Sequence, residues 1–119
     1  MEAADDEDRQ AYDLKARVVH ARHAFKKSYK KHARNIMAFG RRRVKLGTAR
    51  LAAIHNSANL PRMRRFEALY NRAMTASDRS VRAMGEARER LDDAERNWGE
   101  FRRGFPPGHV FTYPARLRR

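Results

Sequence analysis

Residues 14–39 read LKARVVHARHAFKKSYKKHARNIMAF. On a helical wheel with Leu14 at the origin, Leu14, Val18, Ala21, Phe25, Tyr29, His32, Ile36 and Phe39 fall within about 40° of one line. Lys15, Arg17, Arg22, Lys26, Lys27, Lys30, Lys31 and Arg34 occupy the rest of the circumference. A narrow apolar stripe on a broadly cationic helix is what this spacing writes. The acids of the preceding segment suit the positive end of a helix dipole, so the helix is expected over residues 8–39. At 1.5 Å per residue it would reach about 50 Å.

Outward from that stretch, Gly40 and Gly47 bracket Arg41-Arg42-Arg43-Val44-Lys45 and predict a break. A short connecting helix resumes near Val44, carries Leu51 and Ile54, and ends in His55-Asn56-Ser57. Asn59-Leu60-Pro61 reads as a new start, with Asn59 as cap and Pro61 in the first turn. Met63, Phe66, Tyr70, Ala73, Ser77, Val81, Met84, Leu91, Ala94, Trp98 and Phe101 then recur at spacings of three, four or seven. Glu86 with Arg90, Arg88 with Asp92 and Asp92 with Arg96 support an exposed surface on this second helix. Thr75-Ala76-Ser77-Asp78 could cap a separate helix, so one long helix or two shorter ones fit residues 60–103. From Gly104 to Pro114, three prolines and two glycines forbid a helix and predict an extended arm. No strand pattern and no internal repeat occur. The expected fold is all-α: an extended helical hairpin of two long helices, with a short connecting helix and an extended C-terminal arm.

Charge divides the same chain into four blocks of one structural unit. Of 119 residues, 28 are Lys or Arg and 14 are Asp or Glu, a net of +14. Residues 1–13 hold six acids and only Arg9; residues 14–66 hold 16 Lys and Arg and no acid. Residues 67–103 balance eight Arg against eight acids, and the Pro/aromatic/Arg tail, 104–119, adds Arg116, Arg118 and Arg119. An acid-free block of this size predicts a polyanionic partner. Arg outnumbers Lys 22 to 6, which suits phosphate recognition, although a GC-rich genome produces the same bias.

Composition excludes more than it selects. With no Cys, disulfide scaffolds, thiolate zinc sites and cysteine nucleophiles are ruled out. Leu, Ile, Val and Phe number 20, about 17% of the chain, which leaves little with which to build a core. No uncharged run approaches the ~20 residues of a membrane span. His20, His23, His32 and His55 have only cationic charged neighbours, so no metal site is expected. Glu86, Glu89, Asp92, Asp93 and Glu95 are interleaved with Arg as on a solvated helix, and no phosphate loop or nucleophile motif is present. No enzymatic activity, cofactor or small-molecule substrate is therefore expected. Residues 1–8 are acid-rich, the reverse of a mitochondrial presequence. A mitochondrial location would then imply an internal import signal or a cleaved part outside this numbering; the alternatives are cytoplasm or nucleus.

The arm Phe105-Pro106-Pro107-Gly108-His109-Val110-Phe111, following an Arg-rich helix, resembles the ending of the mitochondrial ribosomal protein 63 family. That family consists of short basic helical proteins of the large mitoribosomal subunit with a Phe-Pro-Pro-His segment, which Gly108 interrupts here. The resemblance implies a ribosomal component whose helices lie on rRNA and whose tail enters a crevice.

The sequence thus predicts a structural rRNA-binding protein of a ribonucleoprotein particle, with neighbouring ribosomal proteins as further partners. Lys26, Lys27, Lys30, Lys31, Arg34, Arg41, Arg42, Arg43, Lys45, Arg50, Arg62, Arg64 and Arg65 are its candidate phosphate contacts. Phe111 and Tyr113 are candidate stacking residues, and Arg116, Arg118 and Arg119 candidate tail contacts. Residues 67–103 would face protein or solvent. Two rivals use the same cations: an accessory subunit of a membrane protein complex on anionic lipid, and a DNA-compacting protein. The narrow apolar arc argues against membrane contact.

Overall fold

A computed structural model describes residues 2–112. The chain is all-α, two long helices packed as a hairpin. Helix α1 spans Glu2–His55, a single 3-10 turn spans Ser57–Asn59, and helix α2 spans Leu60–Arg103. Helix α1 does not break at Gly40 or Gly47. A glycine inside a helix costs only about 1 kcal/mol relative to alanine. Phe39 is half-buried before the pair, and Leu46 and Ala49 are buried around it, which offsets that cost. The short connecting helix expected from Val44 is therefore the end of α1, and the connection is the 3-10 turn.

That turn is built from two asparagines. Asn56, with extended backbone angles, accepts the Ala58 amide through its side chain at 3.0 Å. Asn59 precedes α2 as expected, but its side-chain amide donates to Ala52 O at 3.1 Å and so closes the end of α1. Pro61 sits in the first turn of α2, where its missing N–H is not needed. Helix α2 runs through Thr75 to Asp78 without a cap; Thr75 Oγ1 instead donates back to Asn71 O at 3.0 Å.

The described residues form two compact units, one drawn from 2–26 and 86–112, the other Lys27–Gly85. In both, the packed seam repeats every seven residues. On α1 it runs through Ala11, Val18, Phe25, His32, Phe39, Leu46 and Ala53, with Leu14, Ala21, Ser28, Asn35, Arg42 and Ala49 beside them, all buried or half-buried. On α2 it runs through Met63, Tyr70, Ser77, Met84, Leu91 and Trp98, with Phe66, Ala73, Ser80, Ala87, Ala94 and Phe101. A repeat of 3.5 keeps the seam on its partner helix, whereas a straight 3.6 wheel drifts by ~20° per heptad. Drift explains the misplaced expectations: Tyr29 and Ile36 lie outside the seam, 59% and 49% exposed. Val81 is likewise exposed, and the neighbouring Ser80 takes its place in the core.

In the first unit the described part of the C-terminal arm, through Thr112, turns back instead of running on extended. His109 N donates to Pro106 O at 3.0 Å, with Pro107 and then Gly108 at the turn positions. Gly108 has φ of +82°, the left-handed backbone that the third residue of a type II turn requires. The chain doubles back, and Phe111 becomes 8% exposed against Trp98, Phe101, Phe105 and His109, with centroid separations of 6.0, 5.6, 4.8 and 4.7 Å. Thr112 N donates to Asp8 Oδ1 at 3.2 Å, so α1 also holds the arm. Lys15 Nζ covers the Trp98 ring at 5.4 Å. Arg22 meets Glu95 at 3.5 Å, and Arg88 meets Asp92 at 3.2 Å while lying over Phe25 at 5.5 Å. Arg96 pairs with Asp93 rather than with Asp92.

Candidate nucleic-acid interface

Folding redistributes the charge. Lys27–Gly85 contains 15 Lys and Arg against two acids, Glu67 and Asp78, a net of +13. The ranges 1–26 and 86–119 hold 13 against 12, a net of +1. Almost the whole excess belongs to one compact unit. The boundary at Gly85 decides this: α2 is acid-poor before it, and six of its eight acids follow it.

The predicted phosphate contacts sort accordingly. Lys27, Lys30, Lys31, Arg34, Arg41, Arg43, Lys45, Arg50, Arg62, Arg64 and Arg65 are exposed within this unit. Lys26, also exposed, falls in the other unit. Arg42 is half-buried at a seam position, seven residues after Asn35. The triplet Arg41-Arg42-Arg43 lies inside α1, where successive residues point about 100° apart, so it is splayed rather than gathered at a break. Phe111 is spent on the aromatic cluster and presents no free face for stacking. Tyr113, Arg116, Arg118 and Arg119 lie outside the described residues.

Two grooves gather cations from both helices. Near the turn, Lys45 and Thr48 of α1 face Arg62 and Phe66 of α2 around a hollow of about 420 Å³. Arg62 lies over the Phe66 ring at 5.6 Å, which holds the guanidinium at the groove wall. Farther along, Lys27, Ser28, Lys31 and Asn35 face Ala76, Arg79, Ser80 and Ala83 around about 560 Å³. Arg79 and its neighbours Arg72 and Arg82 come from the stretch that averages to neutrality in the sequence. Reflecting the chain about the turn at Asn56 would have placed them opposite the basic half of α1.

The seam under the second groove is polar. His32 Nδ1 lies 2.7 Å from Ser80 Oγ, and Ser80 Oγ donates to Ser77 O at 2.9 Å. With the hydroxyl proton on that carbonyl, the contact to His32 calls for its Nδ1-protonated tautomer. Asn35 Nδ2 donates to Ala76 O at 3.3 Å. Ser80 is 4% exposed, and among the described residues no buried side-chain polar atom lacks a partner.

Among the described residues no group of three or more His, Asp or Glu is placed to hold a metal ion. None of their helices is long and apolar enough to cross a membrane. Comparison with known proteins finds no matching family, no similar curated sequence and no similar solved structure.

Proposed function

We propose that this chain is a structural rRNA-binding component of a ribonucleoprotein particle, working by phosphate neutralisation and by bridging neighbouring proteins. The observation that carries the reading is the concentration of +13 in Lys27–Gly85, with every cation but Arg42 exposed. Among the described residues no ion pair joins these cations to an acid; the pairs at Arg22, Arg88 and Arg96 belong to the other unit. Such cations release counterions from a polyanion on contact, which makes binding tight at low salt and largely blind to base sequence. The tail resemblance makes the mitochondrial ribosome the particle of first choice. Sedimentation of native lysate tests the reading: co-migration with ribosomal subunits should survive moderate salt and collapse on ribonuclease treatment. Free protein under both conditions removes it.

A second reading, attachment to anionic lipid, is favoured by one observation. Ile36, Met37, Val44, Leu51 and Ile54 of α1 are 49–78% exposed among the cations. Flotation with anionic liposomes, run beside RNA pulldown, separates the two.

A further inference from the structure

We propose that the groove between Lys27–Asn35 and Ala76–Ala83 seats the backbone of a single RNA strand, which continues along α2 past Arg72. The inference rests on the RNA reading and adds a location to it: both helices hold the strand, including the half whose sequence is charge-neutral. Three features of the groove carry it. Its walls are Lys27 and Lys31 on one helix and Arg79 on the other, and no acid lines it. Beside Arg79, α2 lines it with Ala76, Ser80 and Ala83, whose small side chains let a phosphate approach between the cations. Ser28 adds a hydroxyl, the kind of neutral donor that accompanies cations at phosphate contacts.

The groove does not stop there. A second hollow of about 400 Å³ shares Ala76 and Arg79 with it and adds Asn71, Arg72 and Thr75. Lys27 and Lys31 are one turn apart, about 6 Å, and Arg72 and Arg79 two turns, about 10 Å. The cations are therefore spaced along a path rather than gathered on one anion. Helices packed about 8–10 Å apart leave only a narrow surface furrow along their line of contact, a width that suits one strand's backbone and not a duplex. The polar seam beneath fits a wet site. His32, Ser80 and Asn35 are satisfied by one another and by backbone, so the seam does not need an apolar cover.

The test is the salt dependence of single-stranded RNA binding by the full chain, read by fluorescence anisotropy. Arg72→Gln/Arg79→Gln and Lys27→Gln/Lys31→Gln are compared with Arg90→Gln/Arg102→Gln, which removes equal charge from the other unit. Each groove pair is expected to lower the slope of log K against log[salt] by about 1.4, from ~0.7 per single-strand phosphate contact. Affinity at moderate salt should fall at least tenfold, and the control pair should change neither value by more than a small fraction of this. Helix content by circular dichroism checks the fold of each variant, and two independent pairs guard against one that fails to fold. A folded groove pair that binds RNA like wild type overturns the inference while leaving the RNA reading intact. Wild-type protein that binds no RNA overturns both. Variants that lose binding to anionic vesicles while keeping RNA binding would reassign the groove to lipid headgroups and overturn it.

Discussion

His32 Nδ1 and Ser80 Oγ, 48 positions apart in the chain, lie 2.7 Å from one another at the seam of Lys27–Gly85. A polar pair at the seam disfavours any sliding of one helix along the other, because a shifted register would bury one partner without the other. Asn35 on Ala76 O acts in the same direction one turn away. This layer gives a hairpin with few buried apolar residues a defined alignment, and that alignment brings Arg79 to Lys31.

The pair should therefore show energetic coupling. In a double-mutant cycle of His32→Ala and Ser80→Ala, urea unfolding is expected to give an interaction term of about 0.5–1.5 kcal/mol. Strictly additive effects would mean that the contact contributes nothing to alignment.

The seven-residue seam makes a prediction about neighbours. Phe39 packs on Tyr70 with centroids 5.1 Å apart, whereas Ile36, three positions earlier, is 49% exposed. Phe39→Ala should cost about 2–3 kcal/mol and Ile36→Ala less than ~0.5. Thermal or urea unfolding checks this, and comparable costs at the two positions would restore the straight-wheel reading in which both share one face.

The returning arm should stabilise its unit. Phe111→Ala removes a ring from a cluster of four others and is expected to cost about 3 kcal/mol. It should also red-shift the emission of Trp98, the chain's one tryptophan. Gly108→Ala forces a side chain into φ of +82° and should cost about 1 kcal/mol. Unchanged stability and emission in both variants would show that the arm does not hold this position in solution.

Charge removal should matter by unit, not by sequence block. Lys15 and Arg22 belong to the acid-free stretch, yet they lie on Trp98 and Glu95. Lys15→Gln/Arg22→Gln is expected to leave RNA affinity within about twofold. Arg41→Gln/Arg43→Gln, exposed in the basic unit, should lower the salt slope by about 1.4. Equal effects of the two pairs, measured by anisotropy titration at several salt concentrations, would refute the assignment of the interface to Lys27–Gly85.

The sequence alone determined the helical character of the chain, the reversal near Asn56 to Pro61, the end of the second helix before Gly104, and the cationic bias of the first half. These depend on neighbours within one or two turns: apolar spacing, a proline at a helix start, and prolines that forbid helix. Only the tertiary structure decided which residues fill the seam, because the change from a 3.6 to a 3.5 repeat arises when a second helix is packed against the first. That change placed Ser80 inside and Ile36 outside against their hydrophobicity. Burial of Phe111 likewise needed both the Gly108 turn and the waiting rings of α2. The unit that carries the charge was equally a property of the fold. An average along the chain cancels Arg72 and Arg79 against acids beyond Gly85, while the compact unit that holds them, Lys27–Gly85, does not contain those acids. Electrostatic partners are chosen by distance in space, and distance in space is what the antiparallel pairing sets.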